Sequence, residues 1–122
     1  MAAFRYFSTG VLWTGGITNF NIRVTFVNLD PSNTQQVQVK TKNWNTETID
    51  FNLTLTLDPN SWNGTTSLEL SDVYEVRLAL EPNIIANVYA YDPLEQASAT
   101  IKGTRVLFHQ LVPIQPRQFE LN

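Results

Sequence analysis

The side chains that could make or break bonds are few. One histidine, His109, stands in RVLFHQLV, and the chain has no cysteine. A serine hydrolase needs its histidine beside a serine and a carboxylate, and no G-x-S-x-G elbow or comparable context surrounds any serine. Alternation puts His109 with Leu107 and Leu111, opposite Val106, Phe108 and Gln110. That is the setting of a packed or interfacial imidazole rather than of a general base. Two carboxylates could hydrolyse a glycosidic bond, but the acids lie mostly at turns with no pair set apart. With one imidazole and no thiol, a transition-metal site lacks ligands. The expectation is a protein that is not an enzyme, with no catalytic residues and no cofactor.

Two other kinds of site need only oxygens or rings. If the strands run up and down in sequence, Asp30, Asp58 and Glu81 fall in loops at one end, where three carboxylates could hold calcium. The same residues are ordinary turn-starters, because each precedes a proline, as does Asp92. Trp13, Trp44 and Trp62, with Tyr74, Tyr89 and Tyr91, could stack on the rings of a glycan. Trp13 and Trp44 sit in strand patterns and are assigned to the core. Trp62 lies in the turn-rich DPNSWNG, where a large ring in water asks for a cover, a neighbour or a ligand. In that stretch Asn63-Gly64 is a hairpin-type turn signal.

The elements that would position these groups are strands. In FNIRVTF, Phe20, Ile22, Val24 and Phe26 alternate with Asn21, Arg23 and Thr25. In IDFNLTLTL, Ile49, Phe51, Leu53, Leu55 and Leu57 do the same, and VYEVRLAL repeats the pattern with Tyr74, Val76, Leu78 and Leu80. A period of two is the mark of a strand with one face on a core. QVQVKTKNW is a weaker version, while IIANVYAY and RVLFHQLV are apolar on nearly both faces, as in strands covered twice or meeting another subunit. The expected strands span about residues 3–13, 19–29, 35–44, 48–57, 66–70, 72–80, 84–92 and 97–112. Short strands at this spacing predict one all-β domain over 1–122, an antiparallel β-sandwich of immunoglobulin-like or jelly-roll type, with a closed barrel as the alternative.

Composition narrows the partners. Charged residues make up 16% of the chain, and Thr, Asn and Gln number 33, so the surface is polar yet weakly charged and poorly insulated against self-association. A net charge of −3 with eight scattered Lys and Arg argues against a nucleic-acid partner. No run of 18 apolar residues predicts a membrane insertion. The opening MAAFRYFSTGVLW lacks the apolar stretch of a classical signal peptide.

Both ends carry apolar residues. Residues 1–16 form either the first strand of their own sandwich or an arm, anchored by Phe4, Tyr6 and Phe7 and hinged at Gly15-Gly16, that adds a strand to a neighbour. Pro113 and Pro116 keep residues 113–122 out of a central strand, so this segment is expected to leave the sandwich as an extended tail whose Ile114, Phe119 and Leu121 make contacts. Edges without lysine guards favour head-to-tail pairing. The expectation is a self-assembling structural subunit, whose partner is itself. The alternatives are a carbohydrate-binding module and a small viral or phage capsid or tail protein.

FRYFSTG, DVYEVRLAL and RVLFHQLV together resemble segments of small uncharacterised β-sandwich proteins of spore-forming Gram-positive bacteria. The likeness covers about 25 residues and departs at Phe108, which separates Leu107 from His109. It implies a spore- or cell-surface role, as a coat or appendage component, and no enzymatic residues.

Overall fold

The computed structural model describes residues 3–92, 101 and 104–121. Among these residues eight strands form: β1 (Arg5–Trp13), β2 (Phe20–Asn28), β3 (Gln35–Asn43), β4 (Thr48–Leu57), β5 (Trp62–Glu69), β6 (Val73–Leu80), β7 (Ile84–Tyr91) and β8 (Val112–Pro113). A 3-10 turn covers Phe108–Gln110 and a short helix, α1, covers Pro116–Glu120. A five-stranded sheet, ordered β4-β3-β6-β1-β8, faces a three-stranded sheet, ordered β5-β2-β7, and every named pairing is antiparallel. The fold is an all-β sandwich of two separate sheets. Among the strands of the described residues only β3 and β4 are joined as a hairpin; the others alternate between the two sheets along the chain.

The core follows the alternation. Phe20, Ile22, Val24 and Phe26 of β2 face Tyr74, Val76, Leu78 and Leu80 of β6, all fully buried, and Phe20 stacks on Tyr74 with ring centres 5.1 Å apart. Ile84, Ala86, Val88 and Ala90 complete the layer from β7. Two bulges bend the larger sheet. In β1 the register slips between Ser8 and Val11, where Gly10 takes φ +74°, a conformation that disfavours any side chain. There the Thr9 hydroxyl accepts the Val76 N–H that the ladder leaves over. In β4, two steps from Phe51 to Ile49 match one step of β3 from Thr41 to Lys42, so Asp50 interrupts the expected alternation.

Several expectations are corrected. The segment holding Phe4, Tyr6 and Phe7 takes the first of its two expected places within this chain: β1 lies in its own sheet between β6 and β8. Residues 113–122 do not trail away either. Pro113 pairs with Phe7, the Ile114 N–H donates to the Tyr6 carbonyl, and Pro116 opens α1 at the position where a helix has no use for an N–H. Phe119 is fully buried against Tyr6, with ring centres 5.3 Å apart, and Leu121 is exposed. RVLFHQLV is not one continuous strand. Val106 makes a single bridge to Val88, after which the chain turns so that Phe108 meets Phe7 and Leu111 enters the core. Residues 97–100 and 102–103 of that expected strand, Pro93 of the Asp92-Pro93 pair, and the ends at 1–2 and 122 lie outside the described residues.

Candidate functional site

The outer face of the three-stranded sheet carries the aromatic cluster. Because β2 is central, its outward residues each meet one partner on either side. Val27 lies between Trp62 and Ile85, Thr25 between Gly64 and Asn87, Arg23 between Thr66 and Tyr89, and Asn21 between Leu68 and Tyr91. Arg23, Thr25, Trp62, Tyr89 and Tyr91 line an open cleft of about 390 Å³. Trp62 is 65% exposed, and the Tyr89 and Tyr91 rings sit 6.0 Å apart at a tilt. Arg23 Nη1 donates to Thr66 Oγ1 at 3.1 Å, and the guanidinium has no carboxylate partner among the described residues. A β-carbon at Gly64 would come within 3.0 Å of the Val24 carbonyl and 3.3 Å of Arg23 Nη2, so glycine keeps the floor open and the arginine in place.

This corrects the placement of Trp62 and of Asn63-Gly64. They form the start of β5 rather than a turn, so Trp62 does not cover the end of the sandwich. Trp13, assigned to the core, is instead 67% exposed on the outer face of the larger sheet, where its Nε1 donates to Asp72. Trp44 is half-buried beneath the Lys42 ammonium and donates to Glu75.

The expected calcium cluster does not form. The loops bearing Asp30, Asp58 and Glu81 do share one end: Asn28 Nδ2 donates to the carbonyls of Leu57 and Asp58, and Asn83 Nδ2 donates to Asp30. Among the described residues, however, no three carboxylates gather. Asp30 instead accepts the backbone N–H groups of Ser32 and Asn33 and the side-chain amides of Asn33, Gln35 and Asn83. These donors, the Ser32 and Asn33 N–H first, hold its pKa well below the usual carboxylate range. They point positive dipoles where a cation would have to sit. Glu81 is likewise engaged, accepting the Gln36 N–H. Asp30 ties three loops together. His109 lies exposed on the 3-10 turn, with no side-chain hydrogen bond among the described residues.

Sequence reading missed a carboxyl pair that the bulge in β4 creates. Glu69, at the end of β5, is fully buried and uses one oxygen to accept the N–H groups of Leu70 and Ser71. Its other oxygen has no hydrogen-bond partner among the described residues. Burial, opposed by those N–H groups and reinforced by Asp50, pushes its pKa up to about 7. An unfolded glutamic acid titrates near 4.5. Between these values the folded chain holds a proton that the unfolded chain has released. The associated stability is therefore fully present below about pH 4.5 and is lost as pH rises through 7, on the order of 2 kcal/mol after allowance for solvent screening. Glu69→Gln keeps the acceptor and removes the charge. It is expected to flatten the melting profile between pH 5 and 8 and to raise Tm at pH 8 by roughly 5–10 °C. A wild-type profile as flat as the variant's would refute the assignment.

The other unusual feature is an open rim. Among the described residues β4 pairs only with β3, and β5 only with β2, so each is the edge of its sheet there. The larger sheet reaches past full cover there: Phe51 and Leu55 face the core half-buried, and Leu53 is 38% exposed. Leu68 and Leu70 are exposed on β5 and just after it. Neither strand contains a lysine, arginine or proline. Comparison of the chain with protein-family models, with curated proteins and with solved structures gives no match.

Proposed function

We propose that this protein is a non-enzymatic structural subunit that associates with further copies of itself through the β4–β5 rim. One observation supports the reading: a ten-residue strand, β4, has no ladder partner on its outer side among the described residues, beside partly exposed Phe51, Leu53 and Leu55, and contains no basic residue or proline to block one. Such an edge is a template for another strand, and natural sandwiches usually guard it. The inward leucines supply apolar area that a second copy would cover. The rim is favoured over strand exchange through the termini, since within one chain β1 and α1 already have partners while the outer side of β4 has none among the described residues. A surface setting, on a spore or cell, rests on the resemblance of FRYFSTG, DVYEVRLAL and RVLFHQLV alone.

Size-exclusion chromatography with light scattering across a concentration series, alongside negative-stain electron microscopy, tests this directly. Wild-type protein is expected to grow with concentration beyond the 13.9 kDa monomer, and Leu53→Lys is expected to return it to monomer with little change in Tm. A wild-type monomer at every concentration, or assembly unchanged by Leu53→Lys, would defeat the proposal.

A further inference from the structure

The cleft on the outer face of β5-β2-β7 has a different character from the rim. Its ends are aromatic, with Trp62 at one and Tyr89 and Tyr91 at the other, while its middle is polar, with Thr25 and the Arg23–Thr66 hydrogen bond. Four residues of β2 separate the row of Trp62 from the row of Tyr89, roughly 13 Å along the strand. We infer that this cleft binds an oligosaccharide carrying a carboxylate, with pyranose faces stacked on Trp62 and on the tyrosines and the sugar carboxylate held by Arg23.

Three observations lead there. Trp62 exposes an apolar ring to water on a sheet face where alternation would place a polar residue, and flat aromatic faces suit the C–H faces of pyranose rings. The separation of the aromatic rows fits an extended ligand better than one sugar. Arg23 is the one charged group in the lining, and with no carboxylate partner among the described residues its planar fork is available to an incoming carboxylate. Gly64 supports the assignment, since any side chain there would crowd Arg23 and fill the floor. Single-stranded nucleic acid also stacks on aromatic rings, but it needs a basic groove, and this chain offers one arginine in the cleft and a net charge of −3.

The test is calorimetry and array binding with a panel of acidic oligosaccharides (oligogalacturonate, glucuronoxylan fragments, hyaluronan hexamer) and neutral ones (cellohexaose, chitohexaose). Saturable binding to an acidic member is expected with Kd below about 1 mM. Trp62→Ala and Arg23→Gln should each weaken it about ten-fold or more. Trp13→Ala, which removes an equally exposed tryptophan from the opposite sheet, should leave it unchanged. Leu53→Lys should leave it unchanged too, which separates this site from the rim whatever the outcome there. No binding to any panel member, stronger binding to the neutral sugars, or equal loss on Trp13→Ala would overturn the inference.

Discussion

Arg77→Met is expected to destabilise the fold by about 3–5 kcal/mol, because it leaves a buried carboxylate without its counter-charge. Arg77 and Glu75 both project outward from β6, yet both are buried, since the chain after Val112 folds back over this face. The guanidinium grips Glu75 with two hydrogen bonds of 3.1 Å, through Nε and Nη2, and its Nη1 donates to the Leu121 carbonyl. Glu75 also accepts from the Ser8 hydroxyl and from Trp44 Nε1. Burial by itself would raise its pKa; Arg77, Ser8 and Trp44 together overcome that and hold it low. Methionine fills much of the space of the arginine stem but gives the carboxylate nothing. At roughly 3–6 °C per kcal/mol for a chain of this size, Tm should fall by about 10–25 °C. Adding Glu75→Gln to Arg77→Met should restore much of the loss, since the stranded charge is then gone. A single variant that melts with the wild type would show that the pair contributes nothing.

Phe119→Ala is expected to cost a similar amount, about 3–5 kcal/mol, and to release the C-terminal segment specifically. The ring is fully buried, stacks on Tyr6 and lies 4.5 Å beneath the Lys40 ammonium. The same ammonium donates to the Phe119 carbonyl at 3.1 Å and sits 3.9 Å from Glu120. A five-residue helix has too few internal bonds to stand alone, so α1 persists because Phe119 docks it in the core, while Lys40 and Arg77 bond the Phe119 and Leu121 carbonyls at its end. Loss of the ring should let the segment peel off, exposing Lys40 and Arg77 to water together. Trypsin cleavage after Arg117 should accelerate well ahead of global unfolding, read by mass spectrometry over a time course. Unchanged protection of Arg117 would show that α1 is held by something other than Phe119.

The strands that position the core were legible because their alternation is local. Phe20 to Phe26 and Tyr74 to Leu80 each carry their own evidence of which side faces inward, and the structure puts those sides together. RVLFHQLV misleads because nearly every residue is apolar, so no period distinguishes a strand from a turn that sends Phe108 and Leu111 to different parts of the interior. The tail misleads for the opposite reason. Two prolines do bar a central strand, but Pro116 also starts a helix, and the burial of Phe119 depends on Tyr6 and Lys40, far away in sequence. The aromatic cleft was half legible: Tyr89 and Tyr91 share a face by alternation, and Arg23 lies opposite the core residues of β2. What unites them with Trp62 is register across three strands that are not neighbours in sequence. Asn63-Gly64 has the composition of a turn, and only pairing with β2 reveals it as strand. The Asp50–Glu69 pair depends on a bulge that leaves no mark in the pattern of IDFNLTLTL.

The scarcity of hairpins among the described strands has a consequence during synthesis. β1 leaves the ribosome well before its two neighbours, β6, which begins at Val73, and β8, which begins at Val112. At roughly 5–20 residues per second, β1 waits seconds for either. Through that interval an apolar strand rich in aromatic residues is held open on a nascent chain, next to other nascent chains on the same message. Chaperone cover, or slow growth at low temperature, should therefore govern the yield of this protein more strongly than the stability of the finished sandwich does.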